Sequence, residues 1–202
     1  MNTAFKGVLV FLLCLPVCAQ SEHTKLKDGD IIFQTSRSSQ SQAIQLATHS
    51  KYSHMGMLFK KQGAWYVYEA SARVQSTPLK AWITRGENEH YVVKRLKNAD
   101  KILIPDVLAK MKAEGERFEG KPYDLAFAWS DEKLYCSELV WKIYQRGANI
   151  ELGALQKLGS FDLSSKPVIN KLQERYGNRI PYNEPVISPA AIFDSAELET
   201  LP

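Results

Sequence analysis

Cysteine is nearly missing from this chain, and the placing of what there is matters more than the amount. Of the three cysteines in 202 residues, Cys14 and Cys18 fall in an apolar leader, which leaves Cys136 alone in the remainder. The leader, Met1 to Gln20, has a single positive charge at Lys6, an apolar run from Val8 to Val17, and then Val17-Cys18-Ala19. That pattern predicts a secretory signal peptide over residues 1–19, cut after Ala19, with one domain over 20–202. A lipoprotein signal would set a small residue before the modified cysteine. Val17 and Leu13 stand there instead, so lipid attachment is the lesser alternative. The expected destination is export, most simply to a periplasm. An exported chain with one thiol makes no internal disulfide and carries a group prone to oxidation or cross-linking. A thiol kept under those conditions points to use.

Other absences narrow the field. The leader's apolar run is too short to span a bilayer and no later stretch approaches the needed length, so no transmembrane segment is expected. The formal charge is only +4, and no dense Lys/Arg block occurs, which argues against nucleic acid as a partner. The four histidines show no metal-ligand spacing and Cys136 has no second cysteine, so neither a metal nor another cofactor is expected. Repeats and low-complexity tracts are lacking too. What is present, 45% apolar and 24% charged residues, is the composition of an ordinary globular domain.

Cys136 lies in Tyr135-Cys136-Ser137-Glu138-Leu139-Val140, where Leu139, Val140, Ile143 and Tyr144 recur at helical spacing. The stretch predicts an amphipathic helix running to about Arg146-Gly147, with Ser130 or Asp131 as its N-cap. Cys136 then falls in or near the first turn, where unpaired N–H groups favour a thiolate. The same position also suits a small buried apolar residue.

Upstream, Asp28-Gly29-Asp30 reads as a turn before a strand at Ile31-Ile32-Phe33, and Ser38 to His49 as a serine-capped helix with Ala43, Ile44, Leu46 and Ala47 inward. Strands over Tyr52–Phe59 and Trp65–Ala70 flank the polar turn Lys60-Lys61-Gln62-Gly63, which makes a hairpin. Placing Lys60 opposite Gly63 sets His54 opposite Glu69, close enough to hydrogen-bond. The pair reads either as an imidazole oriented by a carboxylate or as an ordinary cross-strand polar pair. Further along, helices are expected over Pro78–Arg85, Pro105–Phe118 and Lys166–Tyr176, a strand over Tyr91–Leu96, and a short helix from Ser188-Pro189. His49 fits a helix C-terminus and His90 faces solvent. This order predicts an α+β fold around an antiparallel sheet.

The segments Asp28-Gly29-Asp30-Ile31-Ile32-Phe33, Tyr52-Ser53-His54-Met55-Gly56-Met57, Tyr68-Glu69-Ala70, Gly120-Lys121-Pro122-Tyr123-Asp124 and Tyr135-Cys136-Ser137-Glu138-Leu139-Val140 occur in that order. Together they resemble the circularly permuted branch of the NlpC-type papain-like cysteine hydrolases, the YiiX-like proteins in particular, from about Asp28 to Pro189. The resemblance implies a permuted papain-like fold, with the Cys at a helix N-terminus packed on the sheet that carries the His. It implies Cys136 as nucleophile, His54 as general base, Glu69 as the orienting residue, and Tyr123 beside the nucleophile as a substrate or oxyanion contact. Tyr123 also suits a buried aromatic role.

Three functions follow as expectations. The first is a cysteine hydrolase cutting an amide bond, with peptidoglycan peptides as substrate. The second is an acyltransferase or lipid hydrolase, for which Phe127 to Trp129 would line an acyl channel or else pack the core. The third is a non-catalytic envelope-binding module, which has no need of Cys136, His54 and Glu69 together.

Overall fold

The structure is a computed structural model and describes residues 26–202. The signal peptide expected over 1–19, with Cys14 and Cys18, lies outside the described residues.

Strands β1 (Ile31–Ser36), β2 (His54–Lys61), β3 (Ala64–Ala70), β4 (Val74–Pro78), β5 (Gly86–Leu96) and β8 (Leu198–Thr200) form one sheet in the order β4-β3-β2-β1-β5-β8. Every neighbouring pair in it is antiparallel. Period-two alternation gives the sheet two buried faces. Ile31, Phe33, Met55, Met57, Tyr68 and Ala70 point into the main core, against Leu139, Val140, Ile143 and Tyr144 of helix α5 (Cys136–Ala148). Ile32, Leu58 and Val67 point the other way, under Leu79 and Trp82 of helix α2 (Leu79–Thr84). The α+β expectation and the helix-on-sheet arrangement both hold.

Helices α1 (Ser41–Thr48), α3 (Ala99–Ile102), α4 (Pro105–Phe118), α6 (Lys166–Tyr176) and α7 (Pro189–Phe193) surround this frame, and Gln156–Lys157 and Pro185–Val186 make a separate two-stranded ribbon, β6 and β7. Helix α4 lies along α5. Gly147, expected as the end of α5, is inside it. A Cβ there would sit 2.6 Å from Met111 Cα, so glycine lets the two helices close up. The helix ends instead at Asn149, which takes the left-handed conformation.

The hairpin is real but its register differs from expectation. Lys61 pairs with Ala64, and the two-residue loop Gln62-Gly63 has φ of 51° and 82°, the positive pair a type I′ turn requires. His54 is therefore diagonal to Glu69, on the same face, instead of directly opposite. Gly56, next but one to His54, is needed because β3 passes close. A methyl there would lie 2.4 Å from Val67 Cγ1 and 2.6 Å from the Tyr68 carbonyl oxygen.

Other boundaries shift for local reasons. Pro78 does not open a helix but ends β4 and caps α2, because Val74–Pro78 pairs along β3. In α1 the cap is Gln40 without a side-chain bond, and the Ser41 hydroxyl turns instead to Ser53 at 2.6 Å. Leu46, expected inward, is exposed. The Asp28-Gly29-Asp30 turn is structural: Asp28 accepts from Lys60 N–H at 2.7 Å, and buried Asp30 accepts two hydrogen bonds from Arg95 at 2.7 Å each. It fastens β1 to β2 and β5.

Candidate active site

Cys136 is the first residue of α5, in its first turn as expected, and it is buried. Ser130 and Asp131 are not the cap. The bridge between Tyr123 and Leu134 keeps the chain extended as far as Tyr135, and Asp131 turns back to Arg146 at 2.7 Å and Lys142 at 2.9 Å. Extended Tyr135 is the N-cap, and Glu138 reaches back to accept from its N–H at 3.4 Å. Both neighbours of Cys136 are fastened to one residue. The Tyr135 hydroxyl accepts from Ile187 N–H at 3.1 Å, and the Ser137 hydroxyl donates to the Ile187 carbonyl at 2.8 Å. These bonds fix the direction in which the thiol points.

His54 begins β2, at the end of the sheet nearest the start of α5. Its Nε2 lies 2.6 Å from Glu69 Oε2, and Cys136 is close enough to act on the same ring. The Trp82 ring stacks on the imidazole with centroids 5.8 Å apart. Glu69 is fully buried and both its oxygens are engaged: Oε1 accepts from the Thr77 hydroxyl at 2.6 Å and from Arg85. Thr77 comes from β4, so the strand absent from the sequence reading supplies part of the support. Burial works against charge on both groups, yet their partners prevail. Hydrogen bonds and charge from Cys136 and Glu69 raise His54 from 6.5 to about 9. His54, Thr77 and Arg85 lower Glu69 to about 2. At neutral pH the site therefore holds an imidazolium between a carboxylate and a thiol sulfur.

Tyr123 stands at the same place. Its segment is pinned by Tyr123 N–H donating to the Ala72 carbonyl at 3.1 Å. Its hydroxyl meets Gln40 Nε2 at 2.8 Å, and Gln40 Oε1 accepts from Arg175. A guanidinium can only donate, so Arg175 sets the Gln40 amide with its oxygen outward and its NH2 toward Tyr123. The Tyr123 oxygen is thereby an acceptor, and its own proton stays available for another acceptor. Burial, with the Cys136 charge second, pushes the phenol upward, so it remains protonated. Gln40 and Arg175 are absent from the sequence reading. They lie 135 residues apart and share no motif.

Two hollows meet here. One pocket is lined by Cys136, Tyr123 and a mostly apolar set from α1 and α6. A polar cleft is lined by His54, Tyr123, Ser36, Arg37, Ser53 and Ser71 among others. Tyr123 and Gln40 line both. The aromatic run divides: Phe127 lines the pocket, whereas Trp129 packs edge-on against Trp141 at 5.3 Å and below Lys142.

A buried thiol at a helix start, beside a histidine that a carboxylate holds, with the histidine preceding the cysteine in the chain, defines a permuted papain-like cysteine hydrolase. Residues 25–202 match the family described as permuted papain-like amidase enzyme, YaeF/YiiX, C92 family, and the chain belongs to that family. It is 49% identical over 194 residues to the protein YiiX of Escherichia coli (strain K12), covering 96% of this chain and 93% of that one. The crystal structure of metalloprotein YiiX from Escherichia coli O157:H7 is similar with a TM-score of 0.83 and 51% identity, over 87% of this chain and 96% of that one. The metal in that description is said of that protein. Here Glu69 holds the His54 ring through Nε2 at 2.6 Å. Among the described residues no group of three or more His, Cys, Asp or Glu has the arrangement to hold a metal ion.

Proposed function

We propose that the chain cleaves an amide bond by thiol acyl transfer, with Cys136 as nucleophile, His54 as proton carrier, Glu69 as its orienting carboxylate and Tyr123 as an oxyanion donor. The observation that carries this reading is His54 between Cys136 and a fully buried Glu69 at 2.6 Å. The imidazolium stabilises the thiolate, which attacks the substrate carbonyl. The oxyanion that forms accepts hydrogen bonds from the Tyr123 hydroxyl and from the Cys136 N–H, which at the first helical position has no intrahelical acceptor. Collapse breaks the C–N bond, and His54 gives its proton to the leaving amine. Water then attacks the thioester while His54 takes its proton, and the acid is released with the thiolate–imidazolium pair restored. Incubation with activated acyl esters and with muropeptides should leave an acyl mass on wild-type protein and none on Cys136→Ala. An adduct on both proteins would refute the assignment.

Peptidoglycan peptides and acylated amines both meet this chemistry. The apolar lining beside Cys136 favours the acylated class.

The reaction is proposed to occur outside the cytoplasm. The support is the leader sequence, Met1 to Gln20. Protein recovered from the exported fraction should have an intact mass beginning near Gln20. A mass that retains Met1, or a diacylglycerol adduct at Cys18, would contradict release as a free protein.

A further inference from the structure

Gln34 stands opposite His54, paired with it across β1 and β2 and so on the same face of the sheet. It is 2% exposed, yet it lines the polar cleft together with His54. No side-chain hydrogen bond holds its carboxamide among the described residues, and Oε1 is buried without a partner. A residue kept here for packing alone would be apolar, as Ile32 and Leu58 are on the same face. A buried polar group left unpaired is a cost to the fold, and it points to a partner that arrives with the substrate.

Gly86, at the start of β5, makes room for this amide. A Cβ there would lie 2.2 Å from Gln34 Oε1 and 3.2 Å from the Ile83 carbonyl oxygen. The inner end of the carboxamide therefore sits near an acceptor. The two ends of a carboxamide have the same shape, and their neighbours decide which is which. With the NH2 turned inward toward Ile83, the Gln34 oxygen faces the cleft beside His54.

The reaction needs an acceptor at that place. His54 protonates the leaving nitrogen on its lone pair, so the leaving group lies on the side that His54 lines. In the tetrahedral intermediate this nitrogen is pyramidal, and its N–H points away from its lone pair. An acceptor for the N–H must then stand next to the acid, which is where Gln34 stands. An ester oxygen carries no such hydrogen.

We propose that Gln34 accepts a hydrogen bond from the N–H of the scissile amide, which makes the site selective for amides that carry an N–H over esters. This rests on the thiol acyl-transfer reading of Cys136 and His54. Gln34 gains no proton. His54 supplies the proton, the C–N bond breaks with its electron pair going to nitrogen, and the amine leaves with its original N–H still directed at Gln34.

The test is kcat/KM of wild type, Gln34→Met and Gly86→Ala on the 4-nitroanilide and the 4-nitrophenyl ester of hexanoic acid. Methionine keeps the length of the side chain and removes the acceptor, whereas the methyl added at Gly86 displaces the carboxamide without altering it. The anilide-to-ester ratio of kcat/KM should fall at least about 10-fold in each, the usual effect of losing one hydrogen bond to a reacting group. Either variant alone decides the matter should the other not fold. A fall of equal size on both substrates would mark Gln34 as a packing residue and overturn the proposal. An unchanged ratio, or a wild type that takes the ester and not the anilide, would overturn it as well. In each of these cases the ester still acylates wild-type Cys136, so the reaction reading stands. No acyl-enzyme with either probe would overturn both.

Discussion

Replacing His54 with alanine should lower turnover at least about 10³-fold, nearly as far as Cys136→Ala, because both thiol activation and leaving-group protonation pass through one ring. The double variant should be little worse than either single one, since the two side chains act as a unit. Glu69 should behave differently. In Glu69→Gln the amide oxygen can still accept from His54 Nε2–H, but its NH2 then faces Thr77 and Arg85, which are donors. Geometry is partly kept and charge is lost, so a decrease of about 10-fold to 100-fold is expected. Glu69→Ala should lose more activity. Because Glu69 also fastens β4 to the hairpin, melting temperature has to be read beside activity on wild type and on both Glu69 variants. A Glu69→Ala variant that is stable and fully active would remove Glu69 from the site.

The largest stability effect is expected away from the reacting atoms, at Lys142. This lysine is 2% exposed, with its ammonium 2.7 Å from Glu138 Oε1 and 2.9 Å from Asp131 Oδ1. It also lies 4.8 Å from the centre of the Trp129 ring. Glu138 itself is fully buried and holds the Tyr135 N–H at the helix start. Lys142→Met would leave that carboxylate buried without its counter-charge, a loss of about 3–5 kcal/mol. Adding Glu138→Gln should recover much of it. The pH dependence follows from sign. Burial, only partly offset by Lys142, raises Glu138 to about 7. A carboxyl raised in the folded state destabilises the protein as pH climbs from its unfolded value through the folded one. Without Lys142 the rise is steeper, so the deficit of Lys142→Met in urea unfolding should be larger at pH 8 than at pH 5. Equal deficits at both would show that Glu138 carries no buried charge.

What was legible in the sequence was what periodicity and composition encode. The buried face of α5, the alternation in β1 to β3, the hairpin and the lone thiol at a helix start all follow from residue spacing. The register of the hairpin did not, because Lys60, Lys61, Gln62 and Gly63 all suit a turn and only the left-handed backbone at Gln62 and Gly63 chooses among them. Strand β4 was missed because Gln75, Ser76, Thr77 and Pro78 make a polar edge with no alternation to read, although Thr77 supports Glu69. The supposed caps Ser130 and Asp131 failed for a tertiary reason: the Tyr123–Leu134 bridge holds the chain extended past them. Contacts across long separations were equally invisible. Ile187 aligns both neighbours of Cys136, and Arg175 orients Gln40 against Tyr123, yet no local pattern announces either.

The central claim is that His54, as an imidazolium, activates Cys136, and alkylation of the thiol across pH tests it most directly. With His54 held protonated up to about pH 9, wild-type protein should react with iodoacetamide at a rate that stays high from about pH 6 to pH 9. In His54→Ala that support is gone, and at pH 6 the rate should fall at least about 10-fold, rising only as the pH approaches the ordinary thiol range. Identical profiles for the two proteins, or a thiol in the folded wild type that does not react at all, would contradict the account.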